Sequence, residues 1–181
     1  MATNKKKRVV FFGDSITELA VNPGGFIVKI DSLIVRQGQD DQYELIGAGV
    51  SGNKVYDLYL RMDEDVLKKN PDIVVIFIGV NDVWHKGLLG TGTDADKFEK
   101  FYQAIIKKLK DRKIKVVLVT PAVVGEKSDM SNPLDGDLNK YSNIIRDLAK
   151  KNNLRLVDLR KNFQQYLSKN NPDNKEKEIL T

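Results

Sequence analysis

A Gly13-Asp14-Ser15 tripeptide follows directly on the apolar run Val9-Val10-Phe11-Phe12. The run is strand-sized, so this spacing sets a serine hydroxyl at the carboxyl end of the first strand. Reacting groups and ligands gather at that edge of an open α/β sheet. A serine becomes an acyl-transfer nucleophile when a base takes its proton and hydrogen-bond donors face the developing oxyanion. Two further stretches can supply such donors. Gly47-Ala48-Gly49-Val50-Ser51-Gly52 and Gly79-Val80-Asn81-Asp82 each follow another apolar run. The N–H of Gly49, the side-chain amide of Asn81 and the N–H of Ser15 itself are the candidate donors. Each stretch alone also has a plain structural reading. Asp14 and Ser15 suit a turn and helix cap, the glycines suit turns at positive φ, and Asn81-Asp82 suits a cap or Asx turn. The convergence of all three in order, each after a strand, points to chemistry.

The base is harder to find. The chain has one histidine, His85, and it ends at Thr181. His85 lies four residues past Asn81 beside Trp84, a place that reads as pocket-lining or surface more readily than as a base. A serine nucleophile needs a base, so the sequence reads as a hydrolase with its final catalytic segment missing. Asp14 adjoins the nucleophile and is read as holding its turn rather than as a triad acid. Asp14, Val83, Trp84 and His85 are the candidate substrate-contacting residues, with a core role equally open for Val83 and Trp84. Asp158, at the end of the last strand, reads as a cap.

The elements that must position these residues alternate along the chain. Strands are expected at Val9–Phe12, Tyr43–Ala48, Ile73–Ile78, Lys115–Thr120 and Leu154–Asp158. Several are continuous apolar runs, the pattern of strands buried on both faces of a parallel sheet. Helices are expected at Phe26–Arg36, Val55–Lys69, Ala95–Arg112, Leu138–Asn152 and Lys161–Leu167. In the third of these, Phe98, Phe101, Tyr102, Ile105 and Leu109 recur at helical spacing, and lysines fill the opposite face. Thr93 or Asp94 can cap it, and Asn70-Pro71 ends the helix before it. Alternating elements of this kind make a three-layer α/β/α sandwich. Gly79–Thr93 and Pro121–Pro133 are read as two long loops on the edge that holds Ser15. Asn170–Glu178 is read as an exposed loop, with Ile179-Leu180 opening a new apolar stretch.

Composition narrows the function. At 181 residues a single domain, 1–181, is the default. No apolar stretch approaches the ~20 residues that span a membrane. No long apolar segment follows the basic Met1–Arg8, so it does not read as a signal peptide, and a form with its signal removed looks the same. Compartment and oligomeric state stay open. The absence of cysteine excludes disulfides and thiolate chemistry. The net charge of +5 owes four of its positive charges to Lys5–Arg8. That run reads as a solvated leader, and no nucleic-acid partner is expected. Neither a Gly-x-Gly-x-x-Gly after the first strand nor a phosphate-binding Gly-x-x-x-x-Gly-Lys-Ser/Thr is present. The Gly-x-Ser-x-Gly nucleophile elbow is also missing.

The chain resembles the GDSL, or SGNH, hydrolase family. Gly13-Asp14-Ser15 is similar to its nucleophile motif, Gly49 with Val50-Ser51-Gly52 to its second, and Gly79-Val80-Asn81-Asp82 to its third, over a span from Val9 to about Asp158. The resemblance implies that Ser15 is the nucleophile. It also implies an oxyanion hole from the Ser15 and Gly49 N–H groups and the Asn81 amide. The implied fold is flavodoxin-like, a five-stranded parallel sheet in the order 2-1-3-4-5. The implied activity is ester hydrolysis with no metal or organic cofactor; short-chain or carbohydrate O-acetyl esters are the expected substrates, though acetylated sugars, short-chain esters and lysolipids all fit. Gly47 stands where the family often has Asn. The family's fourth motif, Asp-x-x-His, is absent from the chain, so the 1–181 polypeptide is expected to be nearly inactive. The other reading is a non-catalytic module that binds carbohydrate or ester.

Overall fold

The computed structural model describes residues 5–180. Its strands are β1 (Lys7–Gly13), β2 (Tyr43–Gly49), β3 (Ile73–Phe77), β4 (Lys115–Val119) and β5 (Arg155–Val157). They form one sheet in the order β2-β1-β3-β4-β5, with every pairing parallel. The helices are α1 (Ser15–Leu19), α2 (Phe26–Arg36), α3 (Val55–Asp65), α4 (Val80–Leu89), α5 (Ala95–Asp111), α6 (Asp135–Asn152) and α7 (Leu159–Asn170). The expected sheet order and fold class are both found.

The apolar runs work as double-sided strands. Successive side chains of a strand point to opposite faces, so β1 contributes Val10 and Phe12 to one core and Val9 and Phe11 to another. The larger core gathers Leu58 and Met62 of α3, Phe98, Tyr102 and Ile105 of α5, and Leu138, Tyr141 and Ile145 of α6. The smaller one holds Ala20 and Ile27, with Phe26 and Ile30 packed against it. Each buried Leu, Ile or Phe of this kind contributes roughly 1.5–3 kcal/mol. The edge strands β2 and β5 bury less.

Several boundaries differ from the sequence reading. The segment Gly79–Thr93, read as a loop, contains α4. Gly79, at φ 129°, makes the sharp exit from β3, and Gly90, at φ 65°, ends the helix. The helix expected over Val55–Lys69 stops at Asp65, and a single 3₁₀ turn covers residues 67–69. Asn70 then adopts the left-handed conformation. Asp94 sits at the α5 N-cap without a side-chain cap bond, because its carboxylate pairs with Lys86 at 2.8 Å. The stretch 171–178 is a largely exposed loop, as expected, but it is tied to the rest of the domain. Asn171 is buried and donates to the Glu126 and Lys175 carbonyls, and Asn174 accepts from the Ser128 N–H. The Ile179 and Leu180 N–H groups both donate to the Glu126 carboxylate.

Candidate active site

Strand register sets the site. Gly13 lies opposite Gly49 of β2 and Phe77 of β3, so the loops leaving these strands start at one level. They flank the gap between β1 and β3, where the chain reverses its direction of travel across the sheet and ligands bind.

At the end of β1, Gly13 is needed for space: a Cβ there would lie 2.3 Å from both the Phe77 carbonyl oxygen and the Thr17 hydroxyl. Asp14 caps α1, its carboxylate accepting from the Ile16 N–H at 3.0 Å. Burial pushes the Asp14 carboxyl up to about 6, against the pull of that N–H. The turn thus uses Asp14 as the sequence reading expected. Ser15 is the first residue of α1, so its N–H has no intrahelical acceptor. The side chain is half-buried, and among the described residues it forms no hydrogen bond.

At the end of β2, backbone meets backbone. A Cβ on Gly49 would stand 2.0 Å from the Glu18 nitrogen, 2.5 Å from the Thr17 carbonyl carbon and 2.7 Å from the Asp14 oxygen. Only glycine lets this strand end touch the turn that carries Ser15. The loop that follows is tied to the same helix, with the Ser51 N–H and hydroxyl both donating to the Glu18 carboxylate.

Asn81 and Asp82, in the first turn of α4, are both buried. The Asn81 amide nitrogen donates to the Asn53 carbonyl at 3.1 Å. The Asp82 carboxylate accepts from the Val55 N–H, at 3.1 and 3.3 Å to its two oxygens. Adjacent residues of α4 therefore grip Asn53, in the loop after β2, and Val55, the first residue of α3. Burial pushes the Asp82 carboxyl up to about 6, opposed by its hydrogen bonds and by the charge of Lys54. The sequence reading missed this role for Asp82, because its partner lies 27 residues away. It also missed Lys54, a buried lysine at the N-cap position of α3, whose backbone N–H donates to the Asp57 carboxylate at 2.9 Å.

The other candidates scatter. Val83 packs into the larger core, whereas Trp84 is 45% exposed. His85 is half-buried on α4, its ring centroid 6.0 Å from that of Trp84. Partial burial, helped by the charge of Lys54, pushes its pKa down. Among the described residues no hydrogen bond joins His85 to Ser15 or to a carboxylate. Asp158 caps α7 through the Lys161 N–H and pairs with Arg146 at 2.8 Å. Among the described residues no helix is long and apolar enough to cross a membrane, and no cluster of His, Asp and Glu is placed to hold a metal ion.

The chain has clear relatives. Residues 11–175 match the model of the GDSL-like lipase/acylhydrolase family. An acetyl xylan esterase of known crystal structure is 64% identical, covering 96% of this chain and 88% of its own, with a TM-score of 0.94. The acetylxylan esterase of Geobacillus stearothermophilus is 25% identical over 182 residues, which is 92% of this chain and 82% of that enzyme. The crystal structure of a catalytic mutant of that esterase, with an aspartate changed to alanine, is 26% identical over 92% of this chain and 82% of its own, with a TM-score of 0.80.

Proposed function

The chain belongs to the GDSL-like lipase/acylhydrolase family, and from that premise we propose that it is a serine esterase removing acetyl groups from carbohydrate, with Ser15 as nucleophile. The observation that supports this reading is the level register of Gly13, Gly49 and Phe77, at the ends of the three strands that lead to Ser15, Gly49 and Asn81. The 64% identity to an acetyl xylan esterase favours an O-acetylated sugar as substrate.

In the proposed reaction the Ser15 hydroxyl attacks the acetyl carbonyl carbon and gives its proton to a histidine base. The tetrahedral oxyanion accepts from the Ser15 and Gly49 N–H groups and the Asn81 amide. The amide nitrogen carries two hydrogens. One goes to the Asn53 carbonyl, which orients the group and leaves the other for the oxyanion. The imidazolium returns the proton to the departing sugar oxygen. Water, deprotonated by the same base, then attacks acetyl-Ser15, and the base returns that proton to the Ser15 oxygen as the ester bond breaks and acetic acid leaves as acetate.

His85, the one histidine of the sequence, has no carboxylate partner to orient it among the described residues. We assign the base and its carboxylate to an Asp-x-x-His on chain following Thr181. The aspartate whose replacement makes a catalytic mutant of the Geobacillus stearothermophilus enzyme accords with this assignment. A test compares 1–181 with the protein extended by its natural downstream sequence, on a chromogenic acetate ester and on acetylated xylooligosaccharide. The extended protein should release acetate from both, and Ser15→Ala should abolish it. The 1–181 chain should keep only the roughly 10³–10⁴-fold advantage over water that an oxyanion hole and binding provide. Full activity of 1–181 that His85→Ala removes would make His85 the base. Inactivity of both forms, with sugar binding retained, would make the protein a binding module.

A further inference from the structure

Arg61, on the second turn of α3, is absent from every motif, yet its guanidinium touches the ends of β1 and β2 and bonds Asn53, the residue whose carbonyl holds the Asn81 amide. One terminal nitrogen, Nη2, donates to the Gly13 carbonyl at 2.8 Å and to the Ala48 carbonyl at 3.0 Å. Nε donates to the Asn53 side-chain oxygen at 2.6 Å. Nη1 pairs with Asp65 at 2.7 Å, and the group lies 4.6 Å from the centroid of the buried Phe12 ring. The side chain is only 17% exposed.

The peptide chemistry of these acceptors matters. The Ala48 carbonyl and the Gly49 N–H belong to one planar peptide unit, in which the two groups point in opposite directions. Fixing that oxygen aims that N–H. A cationic donor on the oxygen also polarises the unit and strengthens the N–H as a donor. The Gly13 carbonyl closes the strand just before the Asp14-Ser15 turn. It already accepts from the Val50 N–H at 3.2 Å, so Arg61 holds β1 and β2 together where the nucleophile leaves the sheet. Asn53, gripped by Nε, offers its own carbonyl to the Asn81 amide. A lysine could reach one or two of these acceptors but not all of them, since only the guanidinium presents a planar fork of five donors.

We propose that Arg61 is the positioning residue of the oxyanion hole, aiming and polarising the Gly49 N–H through the Ala48 carbonyl and setting the Asn81 amide through Asn53. The proposal rests on the reading of Ser15, Gly49 and Asn81 as the reacting groups. The test uses Arg61→Lys and Arg61→Ala in the protein with its natural downstream sequence, assayed on a chromogenic acetate ester well below their melting temperatures. Loss of aim acts on the transition state, so kcat should fall roughly 10–100-fold while KM stays within about threefold. Guanidinium ion at millimolar concentration should restore part of the kcat lost in Arg61→Ala. A second readout needs no turnover: in ¹H–¹⁵N spectra of folded Arg61→Lys, the Gly49 backbone and Asn81 side-chain amide signals should shift. Unchanged kcat, or unmoved Gly49 and Asn81 signals in a folded variant, would overturn the proposal even if Tm falls. If Arg61→Ala does not fold, Arg61→Lys decides on the same two readouts. Wild-type protein without Ser15-dependent turnover would overturn the reading of the site instead, and the amide signals alone would then decide whether Arg61 aims these groups.

Discussion

Gly49→Ala is the sharpest perturbation of the site, because its cost can be worked from distances. The added carbon would sit 2.0 Å from the Glu18 nitrogen, where ordinary contact begins at 3.4 Å. The end of β2 and the first turn of α1 would have to part by about 1.4 Å. All three of the nearest atoms are backbone, so no side-chain rotation relieves the clash. Overpacking of this kind costs roughly 1–3 kcal/mol, and each kcal/mol lowers Tm by about 2–4 °C in a domain of this size. The effect on turnover should be larger in proportion. A misplacement of about 1 Å can cost 10²-fold, and loss of an oxyanion donor costs about 10²–10³. Gly87→Ala is the matched control. It lies inside α4 with nothing within 4 Å of the new carbon, so it should gain roughly 0.5–1 kcal/mol from helix propensity. Urea unfolding and ester kinetics on both variants check this. A Gly49→Ala protein with wild-type Tm and kcat within about threefold would refute the claim that close approach of β2 to the Ser15 turn builds the site.

Asn81→Ala should lower kcat by roughly 10²–10³ with little change in KM, measured by steady-state ester kinetics; a loss below about threefold would make Asn81 structural. The Asp82 carboxyl is pushed up to about 6 in the folded protein from an ordinary 3.8, so its folded state favours the proton. Its contribution is therefore most favourable below the ordinary value and is lost as pH rises through about 6. Asp82→Asn, which keeps an acceptor for the Val55 N–H, should gain stability relative to wild type between pH 4 and 7.5, by on the order of 1–3 kcal/mol in urea unfolding. A difference that does not vary with pH would contradict it. Arg160, fully buried and paired with Asp135 at 2.6 Å, also donates to Asn139 and to the Ala122 carbonyl. Arg160→Ala leaves the Asp135 charge buried and unpaired, and should cost about 3–5 kcal/mol in the same assay.

The sheet was legible in the sequence because runs such as Val9–Phe12 and Ile73–Ile78 have no polar face, which only a doubly covered strand tolerates. Ser15, Gly49 and Asn81 could be singled out as candidates because each lies at or just past the end of a strand. Helix α4 was not. Its outer face carries the exposed Trp84, Leu88 and Leu89, and Gly87, Gly90 and Gly92 break the periodicity that marks a helix. The supports of the site were hidden for another reason: they are long-range. Arg61 reaches Gly13 across 48 residues, and Asp82 reaches Val55 across 27. No local spacing encodes such pairs. The burial of Asn171 within a stretch read as an exposed loop was hidden, because its partner, the Glu126 carbonyl, lies 45 residues back.

The account stands on Ser15 as the nucleophile, and the direct measurement is its acylation. The protein is mixed with a chromogenic acetate ester, quenched in acid within the first turnover and digested with trypsin. Cleavage after Arg8 and Lys29 gives a peptide in which Ser15 is the one serine. The account predicts the mass of one acetyl group on that peptide, fragmentation that places it on Ser15, and its absence from Ser15→Ala. Release of the chromophore at the wild-type rate by Ser15→Ala, with no acetyl on the peptide in either protein, would contradict it.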